Sequence, residues 1–303
     1  MTKLTVFQEK IRDLFPEIDI LFDDPMTKHT SFRIGGPAEV LLFPKTIGEL
    51  SYVLKEMDAL GVVPRILGAG TNVLAPDEGI PGLTICLKDA LEGMEELEGD
   101  KIRVAGGVTM TRAAVFAASR NLGGMEFAHG IPGTVGGGVY MNAGAYGGEI
   151  KDICHSVDVL TFDGNLTTLT AEEMDFSYRH SCLEEQGGIV VSTVFQLVPK
   201  PEAEIRAYMQ ELMGKRKNSQ PLDMPSAGSA FKRPVGGYAA ALIDQAGLKG
   251  FQVGGAAISQ KHAGFAVNMG NATAEDVKSL LRQVSDRVYE QSGIRLEPEV
   301  RIW

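Results

Sequence analysis

The sequence predicts an α+β chain in two parts, and three features carry that prediction. Over residues 31–200 short β-like runs alternate with Gly-rich turns, and the two helical segments in that stretch are each stopped by glycine. From about residue 201 the texture turns helical. A chain of 303 residues has room for two domains, and 44% hydrophobic with 22% charged residues is an ordinary globular composition.

The first segment, MTKLTVFQEKIRDLF, reads as an amphipathic helix with Leu4, Phe7, Ile11 and Leu14 on one face. It lacks the apolar core of a signal peptide, and no apolar run reaches membrane-spanning length, so a cytoplasmic protein without membrane insertion is expected. Strands are expected at 39–43, 62–67, 83–88, 101–105 and 156–162, the last forming a hairpin with 165–170 across Asp163-Gly164. In the helix expected over 46–61, Thr46 caps, apolar residues recur at 47, 50, 53, 54, 57 and 60, and Gly61 ends the pattern. A second helix is expected over 109–124.

Pro199 and Pro201 bracket a boundary, which divides the chain into regions 1–200 (core about 31–198) and 201–303. Beyond it the spacing predicts helices over 202–217 and 237–247, strands over 253–259 and 264–269, and a long helix from Thr273, with Asp276 completing a near capping box.

A net charge of −10 argues against a nucleic-acid partner, which needs a basic face. Cys86, Cys154 and Cys182 lie far apart and pair with no His at metal-like spacing, so no metal site is expected. A few local cations can still serve a small anionic ligand. The densest are Lys215-Arg216-Lys217 and Lys232-Arg233, and they flank a Ser-rich stretch, 225-PSAGSAFKRP-234.

Two glycine loops stand out, 68-GAGTNVL-74 and 130-GIPGTVGGGVYMNAGAYGG-148. Glycines free backbone N–H groups to converge on an anion, and the second loop holds more of them than tight turns require. A Walker loop would need Gly-Lys-Ser/Thr, which is absent, and a dinucleotide fingerprint fails at Val73. The spacing therefore predicts a cradle without naming its ligand.

These loops, with 30-TSFRIGGPA-38, 177-SYRHS-181, 219-SQPLDMPSAGSAFKRP-234, 261-KHAGFAVN-268 and 296-LEPEVRI-302, resemble the UDP-N-acetylenolpyruvoylglucosamine reductases in order and over nearly the whole chain. The 139-VYMNAGAYG-147 run and the short C-terminus resemble the shorter second type of that family. The resemblance implies an FAD-binding domain of the vanillyl-alcohol-oxidase (PCMH) type followed by a smaller α+β substrate-binding domain. It further implies that segment 294–303 returns toward the flavin. The activity implied belongs to bacterial wall (peptidoglycan) synthesis: NADPH reduces FAD, and the enolpyruvyl ether of UDP-N-acetylglucosamine is then reduced to UDP-N-acetylmuramate.

Hydride addition to an alkene carbon β to a carboxylate builds charge on that carboxylate, so a cation and a proton donor are needed. The residues matching the family motifs are Arg179 for the carboxylate, Ser229 as proton donor and Glu299 for charge stabilisation or proton return. Taken alone, Arg179 reads as a surface arginine, Ser229 as a loop serine and Glu299 as a solvated strand-end carboxylate; Glu297 is expected to face away from Glu299. Cofactor contacts implied are Gly68, Ala69, Gly70, Thr71, Asn72, Val73 and Leu74 from the first loop. The second loop adds Gly130, Ile131, Pro132, Gly133, Thr134, Gly136, Gly137, Asn142, Ala143 and Gly144, and Arg301 adds one more. Arg216, Lys217, Lys232 and Arg233 read equally as solvated charges or as contacts to the substrate's anionic groups. The alternatives are a different FAD oxidoreductase on the same fold and a catalytically silent flavin-binding protein.

Overall fold

Five antiparallel strands form the largest sheet of the computed structural model, which describes residues 12–303. The helix expected around Leu4, Phe7 and Ile11 lies outside the described residues, and Leu14 is exposed. The strand order is Leu166–Thr170, Cys154–Leu160, Ile189–Gln196, Lys101–Ala105, Met94–Leu97. The Asp163-Gly164 hairpin forms as expected, with Val157 opposite Leu169 and Gly164 at φ +79. The central strand Ile189–Gln196 is buried from Ile189 to Phe195, so both of its faces are covered. Its core partners include Ile102, Val104, Met110, Val135, Val139 and Val157.

One unit of the chain comprises, among the described residues, 12–22, Val40–Ala69 and Gly82–Gly214. The other comprises Asp23–Glu39, Gly70–Pro81 and Lys215–Trp303, so two segments well before position 200 belong with the C-terminal third.

In the first unit the helix Ile47–Leu60 forms as its sequence requires. Thr46 Oγ1 accepts from the Glu49 N–H at 3.1 Å, Glu49 accepts in return from the Thr46 N–H, and Gly61 closes the helix at φ +65. Leu50, Val53, Leu54 and Met57 are buried against Val40, Leu42, Leu83 and Ile85, at roughly 1.5–3 kcal/mol for each side chain. A stretch expected to be all loop, GTVGGG, instead holds the short helix Val135–Tyr140, capped by Thr134 Oγ1 on the Gly137 N–H.

The second unit has a four-stranded antiparallel sheet in the order Ser226–Ser229, Phe265–Asn268, Ala256–Ile258, Gln252–Val253. The single strand expected over 253–259 is a hairpin, because Gly254 (φ +55) and Gly255 turn the chain. A Cβ on Gly254 would lie 2.0 Å from Asp276 Oδ1, so only glycine fits this turn. The long helix Ala274–Ser292 buries Val277, Leu280, Leu281, Val284 and Val288. Its first turn is capped twice: Thr273 and Asp276 form a reciprocal box, and Asp77 accepts from the Ala274 and Glu275 N–H groups at 2.7 and 3.2 Å.

Candidate functional site

Ser229 ends a strand rather than sitting in a loop. Ser226 pairs with Val267 and Ser229 with Phe265, and an irregularity between them contains Gly228 at φ +75. Ala227, Ala230 and Phe231 on this stretch are buried, whereas Ser229 is exposed. Among the described residues nothing hydrogen-bonds the Ser229 hydroxyl, so it faces outward as an available donor from a fixed backbone.

The C-terminal segment lies along the other edge of the same stretch. Phe231 bridges Pro298, the Lys232 N–H donates to Glu297 O at 2.8 Å, and the Glu299 N–H donates to Ala230 O at 3.0 Å. Glu299 is thus the cross-strand neighbour of the residue after Ser229. Glu297 and Glu299 share a face, since extended chain repeats every two residues; the expectation that they face apart does not hold. What distinguishes Glu297 is its ion pair with Lys232.

The first glycine loop reaches this same segment. Asn72 Nδ2 donates to Glu299 O at 3.2 Å, and Asn72 O accepts from the Arg301 N–H at 2.9 Å. Val73–Leu74 and Arg301–Ile302 then continue as a parallel pair. Both glycines of the loop are obligatory. A Cβ on Gly68 would sit 2.6 Å from Thr134 Oγ1, and one on Gly70 (φ +62) would sit 2.0 Å from His29 O. Among the described residues no acceptor meets the N–H groups of Gly68, Ala69 and Gly70. Three successive N–H groups left in this way suit an anion such as a diphosphate.

The second loop works differently. The N–H groups of Val135, Gly136, Gly137 and Gly138 already donate to Val108 O, Gly106 O, Thr134 Oγ1 and Thr134 O. Gly136 and Gly138 serve close packing instead: added Cβ atoms would lie 3.1 Å from Gly106 O and 2.8 Å from Met110 Sδ. Gly130 (φ +86) and Gly133 (φ +139) shape the approach, with Gly130 N–H donating to Thr111 Oγ1. Ile131 and Ala143 pack on the core, and Pro132 and Gly137 are exposed. Asn142 is fully buried with its amide committed to the protein, leaving only its backbone for a ligand.

Arg179 occupies a two-residue turn in which Ser177 and His180 exchange N–H···O=C bonds of 3.2 Å. It stands at φ +57, its Nη2 donates to Gly144 O at 3.3 Å, and its guanidinium lies 4.9 Å from the Tyr178 ring centroid. Arg179 belongs to the first unit, and Ser229 and Glu299 to the second.

The remaining cations take different settings. Arg216 is buried, Lys217 is exposed with its carbonyl accepting from Lys261 Nζ at 2.6 Å, and Arg233 stacks 4.1 Å from the Tyr238 centroid. Burial drives the Cys86 and Cys154 thiols up to about 11 and about 12, so neither is a thiolate nucleophile near neutral pH. Burial, with Lys249 adding to it, lowers His262 and favours its neutral form; its Nδ1 accepts from the Gly264 N–H at 3.1 Å. Among the described residues no cluster of His, Cys, Asp or Glu could hold a metal, and no helix is long and apolar enough to cross a membrane.

Ser31 lies within the 30-TSFRIGGPA-38 run, where sequence alone points to no role for it. Its N–H donates to Gly70 O at 3.0 Å and its hydroxyl to Ser226 O at 2.6 Å, tying the first glycine loop to the base of the serine strand. Both bonds link residues distant in sequence, so only the motif itself could have flagged it.

Comparison with known proteins matches residues 38–170 to a family described as "FAD binding domain". Residues 220–303 match "UDP-N-acetylenolpyruvoylglucosamine reductase, C-terminal domain". The chain is 46% identical to the UDP-N-acetylenolpyruvoylglucosamine reductase of Agathobacter rectalis over 98% of both chains. It is 43% identical to that of Caldanaerobacter subterraneus subsp. tengcongensis, again over 98% of both. Among solved structures, the enzyme of the same name from Thermus caldophilus is similar at a TM-score of 0.79 and 38% identity, covering 95% of this chain and 99% of that one. An alkyldihydroxyacetonephosphate synthase shares the fold alone, with a TM-score of 0.50 and 14% identity, over 64% of this chain and 40% of its own. The fold class expected from the sequence, an α+β chain with an FAD-binding domain followed by a smaller α+β domain, is the one found.

Proposed function

The chain belongs to the UDP-N-acetylenolpyruvoylglucosamine reductase family and is an FAD-binding oxidoreductase, and from this premise we propose that it reduces UDP-N-acetylglucosamine enolpyruvate to UDP-N-acetylmuramate with NADPH as reductant. The observation that carries the residue roles is the pairing of Glu299 N–H with Ala230 O, which sets the exposed Ser229 beside the segment bearing Glu299 and Arg301. The functional regions follow the sequence division for the most part, 1–200 for the flavin and 201–303 for the substrate, with Arg179 and Arg301 as the exceptions. Free, buried cysteines suit a reducing compartment, and we assign the activity to the cytoplasm.

The residues present fit FAD. Gly68–Leu74 would hold its diphosphate through the unpartnered N–H groups. Gly130–Thr134, Gly136, Gly137, Ala143 and Gly144 would admit it closely, and Arg301 would approach the ring. When bound, FAD supplies a hydride to the methylene carbon of the enol ether. Arg179 holds the substrate carboxylate, where negative charge builds, in a planar two-point contact that lysine could not reproduce. Ser229 donates its proton to the α carbon, and Glu299 stabilises the charge redistribution and returns the proton. Arg216, Lys217, Lys232 and Arg233 supply positive charge for the nucleotide's anionic groups.

The test separates this reading from its rivals. The holoprotein is photoreduced without oxygen and mixed with UDP-N-acetylglucosamine enolpyruvate. Return of the oxidised flavin spectrum, with UDP-N-acetylmuramate formed, is expected. A spectrum that stays bleached would instead indicate another flavin oxidoreductase or a silent flavin protein.

A further inference from the structure

We propose that Asn142 is a positioning residue that sets the Arg179 guanidinium for the substrate carboxylate, a reading that rests on the function proposed above. Asn142 is fully buried and stands at φ +41, a left-handed backbone that asparagine tolerates better than most residues. Its amide is spent inside the protein. Nδ2 donates to Ser177 O at 2.8 Å and to Glu149 Oε2 at 2.9 Å, and Oδ1 accepts from the Lys151 N–H at 3.0 Å.

Ser177 opens the turn that carries Arg179, so Asn142 fixes one end of that turn. The other end is fixed by Ser181, fully buried, whose hydroxyl donates to Tyr140 O at 2.7 Å. Two residues further along the same loop, Gly144 O accepts from Arg179 Nη2. Residues 140, 142 and 144 therefore hold both posts of the turn and the guanidinium at its tip. A long side chain on a two-residue turn has many rotamers, and tethering base and head together selects among them. An error of about 1 Å in such a group can cost about 100-fold in rate. The amide cannot reach a cofactor as well, since all its polar atoms are engaged, so its influence on the reaction runs through Arg179.

The test compares holoprotein variants by anaerobic rapid mixing, reading flavin bleaching by NADPH and its recolouring by the enol ether separately. Arg179→Ala and Asn142→Gly, which keeps the left-handed backbone, are each expected to slow recolouring by at least ~10-fold while bleaching stays close to that of the parent protein. The double variant is expected to be no slower than Arg179→Ala alone. Amide hydrogen exchange at His180, a readout independent of turnover, is expected to quicken in Asn142→Gly. If that variant does not fold, Asn142→Asp serves, placing an oxygen against the Ser177 carbonyl and the Glu149 carboxylate at nearly unchanged size. Normal recolouring in the Asn142 variant, losses that add in the double variant, or equal slowing of both half-reactions would overturn the proposal. Normal recolouring in Arg179→Ala would overturn the role of Arg179 itself and the proposal with it, so the two failures are distinct.

Discussion

Asn72 grips the backbone on both sides of Val300: its side chain donates to the Glu299 carbonyl at 3.2 Å, and its own carbonyl accepts from the Arg301 N–H at 2.9 Å. One residue of the first glycine loop thereby fixes the segment that carries two other expected site residues. The loop proposed to hold the cofactor and the segment proposed to handle the proton are held in register by the fold. That is the pre-organisation on which electrostatic catalysis depends.

Replacing Asn72 by alanine removes its side-chain bond to the Glu299 carbonyl. The expected cost is about 1 kcal/mol of stability, with recolouring by the enol ether slowed more than bleaching by NADPH. Urea denaturation and the two half-reactions measured side by side check this.

Gly70→Ala forces a side chain into a left-handed position and against the His29 carbonyl. A stability loss of about 1–3 kcal/mol is expected, together with flavin lost on gel filtration. Retention of flavin and an unchanged melting temperature would remove the tight packing of this loop from the account.

Asp276 titrates below the ordinary 3.8, chiefly because the Thr273 N–H donates to it, and next because the Gly255 N–H does. A depressed carboxylate contributes stability that is present above the unfolded value and lost as the pH falls through the folded one. Asp276→Asn is therefore expected to destabilise at neutral pH and to converge on the parent protein in acid below 3.8. Thr273→Ala, the other half of the box, is expected to cost about 1 kcal/mol. Denaturation midpoints across pH report both.

His180 closes the turn that bears Arg179, and its bond to Glu185 raises it above the ordinary 6.5. A raised histidine contributes stability that is present below the unfolded value and lost as the pH rises through the folded one. An NMR titration of the ring is expected to give a midpoint above 6.5 that falls in Glu185→Gln. A midpoint unchanged by that substitution would remove the pair from the account.

Much of the fold was legible because local rules agreed with one another. The helix Ile47–Leu60 showed its cap, its apolar spacing and its terminal glycine together, and the Asp163-Gly164 hairpin showed its turn dipeptide. The central strand Ile189–Gln196 was not expected. It is buried on both faces and carries Ser192 and Thr193 mid-run, so it offers no alternation to read. The grouping of residues 23–39 and 70–81 with the C-terminal unit rests on bonds between distant positions, such as Asn268 Nδ2 to Phe32 O at 3.0 Å, which local periodicity does not encode. At the site, the glycine excess was visible, but its purpose was mixed. Gly68 and Gly70 leave N–H groups available, while Gly136 and Gly138 let a short helix pack. Spacing alone could not separate these uses.

The most direct test of the central claim is the Ser229→Ala variant in anaerobic rapid mixing. Bleaching by NADPH is expected to stay close to that of the parent protein, and recolouring by the enol ether to slow by about 10²–10⁴. Recolouring at the parent rate, or equal slowing of both steps, would contradict the claim and take the proton-donor role away from Ser229.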